Sequence, residues 1–254
     1  MKKTTNVKKW MFGILFGVLV LAIEFFLIAP FFMRDKKITG INANEDSPAS
    51  ACSRVVSVLE NQLKKIGEDG EAADYLERAK ILNRLSIETC DEEARRKYFG
   101  RALSELSVAD ALRMLNTPLN DVNQKIGFYW KERAEFFRMH QMSDRELEIY
   151  DKYLSIPGRS RDVYSLVKKA EIFVRVGRLN DAVLVYSNIA DICRAANNSN
   201  CYVAGAQFAD LLEENIENQE IVSGLRQRWS KESDLRELFR YNGDASARIR
   251  KILK

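Results

Sequence analysis

Two stretches decide how this chain folds: KERAEFFRMHQMSDRELEIYDKYL at residues 131–154 and VKKAEIFVRVGRLNDAVLVYSNIA at residues 167–190. Placed one above the other at an offset of 36, Ala134 meets Ala170, Glu135 meets Glu171, Phe137 meets Phe173 and Tyr150 meets Tyr186. A fainter third copy, AQFADLLEENIENQE, begins at Ala206, a further 36 residues on. A fixed period between 20 and 50 residues is the mark of a solenoid, in which each unit buries an apolar face only by stacking on its neighbours. Apolar residues recur at three and four, and the 254 residues include only four prolines, so each unit reads as helical.

Breaks in that pattern fall at GEDGE 67–71, near Thr89 to Asp91, at NTPLN 116–120, QMSD 141–144, IPGRS 156–160, GRLND 177–181, NNSN 197–200 and near Asn215 to Asn218. They predict an all-α chain with helices of about 12–20 residues. Ser47 before Pro48 makes a helix start, and Ser143 with Glu146 spells a capping box. In the 167–190 copy, Ala170, Phe173, Gly177, Ala182 and Tyr186 supply small and aromatic residues and a turn glycine. Trp130, Ala134, Phe137, Tyr150 and Pro157 do so in the copy before, and Tyr202, Gly205 and Ala206 remain of the third. Upstream, YLERAKILNRL followed by Ala94, Tyr98 and Ala102 suggests a degenerate pair with a longer turn.

On these residues the stretch from about 72 to 225 resembles the tetratricopeptide repeat family. Three departures are plain: Gln141 stands at the turn glycine, and Glu146 and Tyr153 stand where small residues are usual. The resemblance implies a solenoid of helical hairpins that binds other proteins in a concave groove lined by the first helix of each pair. Carried across, its groove pattern gives Lys131, Glu135, Arg138, Tyr164, Val167, Glu171, Val174, Gln207 and Asp210 as candidate contacts. Val167 and Val174 would be apolar residues left on the surface for a partner.

Ahead of the repeats, Trp10 to Met33 is a run of 24 residues broken by a single charge. As a helix it would cover roughly 36 Å, enough to cross a bilayer with some tilt. Its core is too long for a cleaved signal peptide and is followed by Pro30, Phe31 and Phe32, so it reads as a retained transmembrane helix. Lys2, Lys3, Lys8 and Lys9 precede it without an acid, which favours a cytoplasmic N-terminus and a translocated main domain. Within the span, Gly13 and Gly17 form a G-x-x-x-G pair, and Glu24 falls on the same stripe two turns on. An acid at that depth costs about 2.5–3.5 kcal/mol unless partnered, so the stripe is expected to dock on another membrane helix. The chain then divides into a tail at 1–9, the span at 10–33, a polar linker at 34–47, the repeat domain at 48–230 and a C-terminal segment at 231–254 that caps the array or docks a partner.

Four cysteines allow three pairings. The midpoint of Cys52 and Cys90 lies in the 67–71 turn and that of Cys193 and Cys201 in the 195–200 turn, so two hairpins would each be pinned by one disulfide, as an oxidising compartment permits. The chain carries a net +4, but residues 38–254 hold 33 Lys/Arg against 34 Asp/Glu; the surplus belongs to the anchor, and a nucleic-acid partner is not expected. The single histidine, His140, has no neighbouring cysteine or paired acids. There is no C-x-x-C, phosphate-binding glycine loop, G-x-S-x-G or H-E-x-x-H, so no metal, cofactor or catalytic function is expected. The expectation is a membrane-anchored scaffold or accessory subunit of a cell-envelope complex, in contact with other proteins, an integral membrane subunit among them. The alternative is a tethered extracytoplasmic assembly factor or chaperone that holds client segments in the groove.

Overall fold

A computed structural model describes residues 48–67, 70–194, 199–230, 237–239 and 242–254. The tail, the span with Gly13, Gly17 and Glu24, and the linker lie outside the described residues; no described helix is long and apolar enough to cross a membrane. The chain divides into two units, Met1–Ala51 and Cys52–Lys254. Of the first, only the opening turn of one helix, residues 48–51, is described.

Among the described residues there are eleven helices and no strand: α1 Pro48–Lys65, α2 Ala72–Glu88, α3 Glu92–Asn116, α4 Asp121–Ile126, α5 Trp130–Met139, α6 Ser143–Leu154, α7 Val163–Arg175, α8 Leu179–Cys193, α9 Ser199–Glu214, α10 Gln219–Arg228 and α11 Gly243–Leu253. Helices pack on their sequence neighbours, α2 on α3, α5 on α6, α6 on α7, α7 on α8 and α8 on α9, and α7 also touches α9. The pairs α2/α3, α5/α6 and α7/α8 are each joined by three residues, so the upstream turn is no longer than the others. Asp91 caps α3 by accepting from the Glu93 N–H at 2.8 Å, and Asp162 caps α7 through the Ser165 N–H at 2.9 Å.

The 36-residue period reappears in the turns. The Met142 N–H donates to the Phe137 carbonyl at 2.9 Å, and 36 residues on Arg178 donates to Phe173 at 2.8 Å, the long bond of a Schellman motif. This turn needs a left-handed residue, which Gly177 supplies at φ 75° and Gln141 at φ 57°. Glutamine carries a Cβ penalty there that glycine avoids.

The period also organises the core. Phe136 of α5 is 4% exposed and belongs to the cluster of Leu59, Ala79, Leu82, Leu85 and Leu106 from α1 to α3. Ile172 of α7, 36 residues on, closes the cluster of Trp130, Tyr150 and Tyr153 from α5 and α6. Phe208 of α9, 36 further, stacks on Tyr186 of α8 with centroids 5.4 Å apart. At each step the first helix of a pair sends one side chain back into the core before it, so neighbouring pairs share apolar contacts.

The third unit departs from that scheme. α9 packs mainly on α11, with α10 against α11, so the chain's last helix takes the place expected of the one after 215. Ile249, Ile252 and Leu253 are buried there. Asn242 caps α11, accepting from the Ala245 N–H at 3.1 Å. Gly205 makes room for this end of the fold: a Cβ on it would lie 2.9 Å from the Phe239 ring.

Both expected cysteine pairs stand at disulfide distance, Cys52 with Cys90 at 6.2 Å between Cα atoms and Cys193 with Cys201 at 5.7 Å. Cys193 and Cys201 are buried, whereas Cys90 sits in a short turn between α2 and α3.

Candidate protein-docking face

Tyr164, Glu171 and Arg175 are seven and eleven residues apart, so they fall on one stripe of α7. Each end of that stripe borders a cleft. The first, of about 570 Å3, lies between α2 and α5 and is lined by Lys80, Arg84, Ile87, Lys131, Glu135, Met139 and Tyr164, among others. The second, of about 290 Å3, is lined by Glu171, Val174, Arg175, Tyr186, Gln207, Asp210, Leu211 and Glu214.

Seven of the nine residues expected to face a groove therefore line these clefts: Lys131, Glu135 and Tyr164 in the first, Glu171, Val174, Gln207 and Asp210 in the second. Arg138 lines neither and is held by Glu135 through a forked pair, Nε to Oε2 at 2.8 Å. Val167 is a correction. It is 5% exposed, because it repeats with Val163 and Ala170 at four and three on the inward stripe of α7. Val174 keeps its place on the surface at 38%.

Most charges on the α7 to α11 part of the face are committed to one another. Lys168 Nζ meets Glu171 at 2.7 Å, Gln207 Nε2 donates to the other Glu171 oxygen at 2.9 Å, and the Tyr186 hydroxyl donates to Gln207 Oε1 at 3.3 Å. Arg248 of α11 reaches Asp210 and Glu213, both at 2.6 Å. Burial pushes the Tyr186 phenol well above its usual range, so it remains a neutral donor.

Glu146 departs from its expected role. The Ser143–Glu146 capping box does not form: Met142 occupies the cap position and Ser143 is already helical. Instead Glu146 is buried at 2% exposure and accepts from Arg175 of α7. Burial raises its carboxyl above the ordinary range, against the opposing pull of Arg175. Ala182 stands 36 residues on, fully buried, so Glu146 fills with an ion pair the slot that the next pair fills with a methyl group.

His140 joins the α2/α3 pair to α5. Its Nε2 lies 2.8 Å from Ser86 Oγ and 3.2 Å from Asn83 Oδ1, and its ring packs on Phe99 with centroids 4.0 Å apart. Ser86 is fully buried and donates to the Asn83 carbonyl at 2.5 Å, so its hydroxyl has no approach for a substrate. Among the described residues, no three His, Cys, Asp or Glu side chains are placed to hold a metal ion.

The contribution of α2 to the first cleft, Lys80, Arg84 and Ile87, is absent from the groove pattern that the repeats suggest. Ala79 is fully buried as Ala134 is, and Lys80 follows it as Glu135 follows Ala134, but 55 residues rather than 36 separate them. A comparison of the chain with protein families, with curated proteins and with solved structures finds no match.

Proposed function

We propose that this chain is a non-catalytic, membrane-anchored scaffold or accessory subunit that binds other proteins of a cell-envelope complex through a tetratricopeptide-like helical domain. The observation that carries the reading is the pair of open clefts along α7, where Ile87, Met139, Tyr164 and Val174 are each 37–45% exposed on a face otherwise edged by charge. Apolar side chains gathered in an open cleft are the usual anchor of a protein contact. Turns and core side chains repeating at 36 residues support a stacked array. The two cysteine pairs support an oxidising, extracytoplasmic setting. The apolar run at 10–33 supports the anchor, with Gly13, Gly17 and Glu24 as its contact stripe to an integral membrane subunit.

Extraction of the full-length protein in mild detergent tests this. Recovery with defined partners in a fixed ratio is the expected result. Recovery with many unrelated chains in no fixed ratio would turn the assignment to the assembly factor, and recovery alone would sink both.

A further inference from the structure

Along the docking face the charged side chains fall into two groups. From Glu135 onward all but Glu214 are neutralised from within: Glu135 with Arg138, Glu146 with Arg175, Glu171 with Lys168, and Asp210 with Arg248. Around the first cleft, Lys80, Arg84, Glu88 and Glu132 have no ion-pair or side-chain hydrogen-bond partner among the described residues. Lys131 is engaged only over the rings of Trp130 and Tyr164, 5.5 and 5.2 Å from their centroids. These unpaired charges surround exposed apolar atoms of Ile87, Met139 and Tyr164.

We infer that the first cleft is the recognition site, and that it takes an amphipathic segment of a partner protein. An apolar side chain of that segment seats on Ile87, Met139 and Tyr164, a carboxylate beside it meets Lys80 and Arg84, and a cationic side chain meets Glu132. The inference rests on the protein-binding reading above and deepens it. Lys80 and Arg84 are one turn apart on the exposed side of α2 and reach the same partner group from two successive turns. An unpaired rim charge contributes chiefly to encounter and to choice of partner, while the apolar anchor supplies holding energy. Glu214 apart, a charged ligand at the second cleft would have to break pairs already made within the chain.

Photo-crosslinking of the full-length protein in its native membrane separates the possibilities, with the reactive side chain at position 87 in one variant and at position 174 in another. The expected result is a protein adduct from position 87 whose cross-linked peptide carries an apolar residue flanked by an acid and a base. Lys80→Glu with Arg84→Glu should cut that adduct at least about tenfold, Glu132→Lys should weaken it, and reversing the partner's acid should restore it to the double variant. Lys80 and Arg84 are exposed and Glu132 is half-buried, and unchanged unfolding midpoints will show that both variants fold. An adduct only from position 174, a peptide lacking the acid, or indifference to the double variant overturns this inference and leaves the protein-binding reading standing. Adducts from neither position overturn both.

Discussion

Glu146 and Arg175 face each other across two neighbouring helices on unequal terms, the carboxylate almost wholly buried and the guanidinium still 38% exposed. Removing one partner of a buried pair is costly when the other is left charged and out of water. Arg175→Ala should therefore cost about 3 kcal/mol at pH 7, whereas Glu146→Gln, which leaves an arginine free to hydrate, should cost less than about 1.5 kcal/mol. The Arg175→Ala penalty should shrink on acidification, because the stranded carboxyl, already raised by burial, takes up a proton. Urea unfolding of both variants at pH 7 and pH 4.5 checks the inequality and its pH dependence.

Gln141 and Gly177 do the same work in equivalent turns, only one without strain. Gln141→Gly should stabilise the protein by about 0.5–1 kcal/mol, and Gly177→Ala should destabilise it by about 1–2 kcal/mol. Thermal unfolding midpoints moving in opposite directions would bear this out; equal shifts of one sign would not.

The two cysteine pairs differ in loop length and in access. Chain entropy assigns about 4 kcal/mol to the Cys52 to Cys90 closure, at a sequence separation of 38, and about 2.5 kcal/mol to the Cys193 to Cys201 closure, at a separation of 8. Replacing the first pair by serine should accordingly lower stability more. Under mild reductant without denaturant, alkylation should label Cys52, which is only half-buried, well before Cys193 or Cys201, as mass spectrometry of the labelled peptides can show.

Burial, reinforced by the Arg95 charge, holds the His140 imidazole below its ordinary pKa. Folding then favours the neutral ring. Its contribution is whole above about pH 6.5 and is lost as pH falls through the lowered value. Glu146 carries the opposite sign, since acidification protonates a carboxyl that burial already disfavours in its charged form. His140→Gln should flatten the loss of stability between pH 7 and pH 5.5, measured by denaturant unfolding across that range.

Most of the architecture can be read from the residues, because turn chemistry and helical periodicity are local. Pro48 begins a helix as expected, and most breaks fall where glycine, proline or asparagine interrupts the apolar pattern. What escapes such a reading is decided by distant partners. Ser143 and Glu146 have the spacing of a cap, yet Arg175, 29 residues on, takes the carboxylate instead. Nothing in the 199–214 stretch records that α11 rather than α10 will cover α9. Val167 is misplaced because the groove pattern carried across by resemblance shifts the exposed stripe of α7 by part of a turn. The α2 wall of the first cleft stays hidden since the insertion of α4 and the length of α3 break the 36-residue register.

The Cys52 to Cys90 closure has a mechanical consequence. A pull applied to the chain from its N-terminal side would reach Cys52 and pass through sulfur to Cys90, bypassing α1 and α2. The 38 residues spanned would otherwise yield roughly 130 Å of extension at about 3.4 Å each. Under such a pull the load would run along a short covalent path, and the α2 wall of the first cleft would stay out of the line of force.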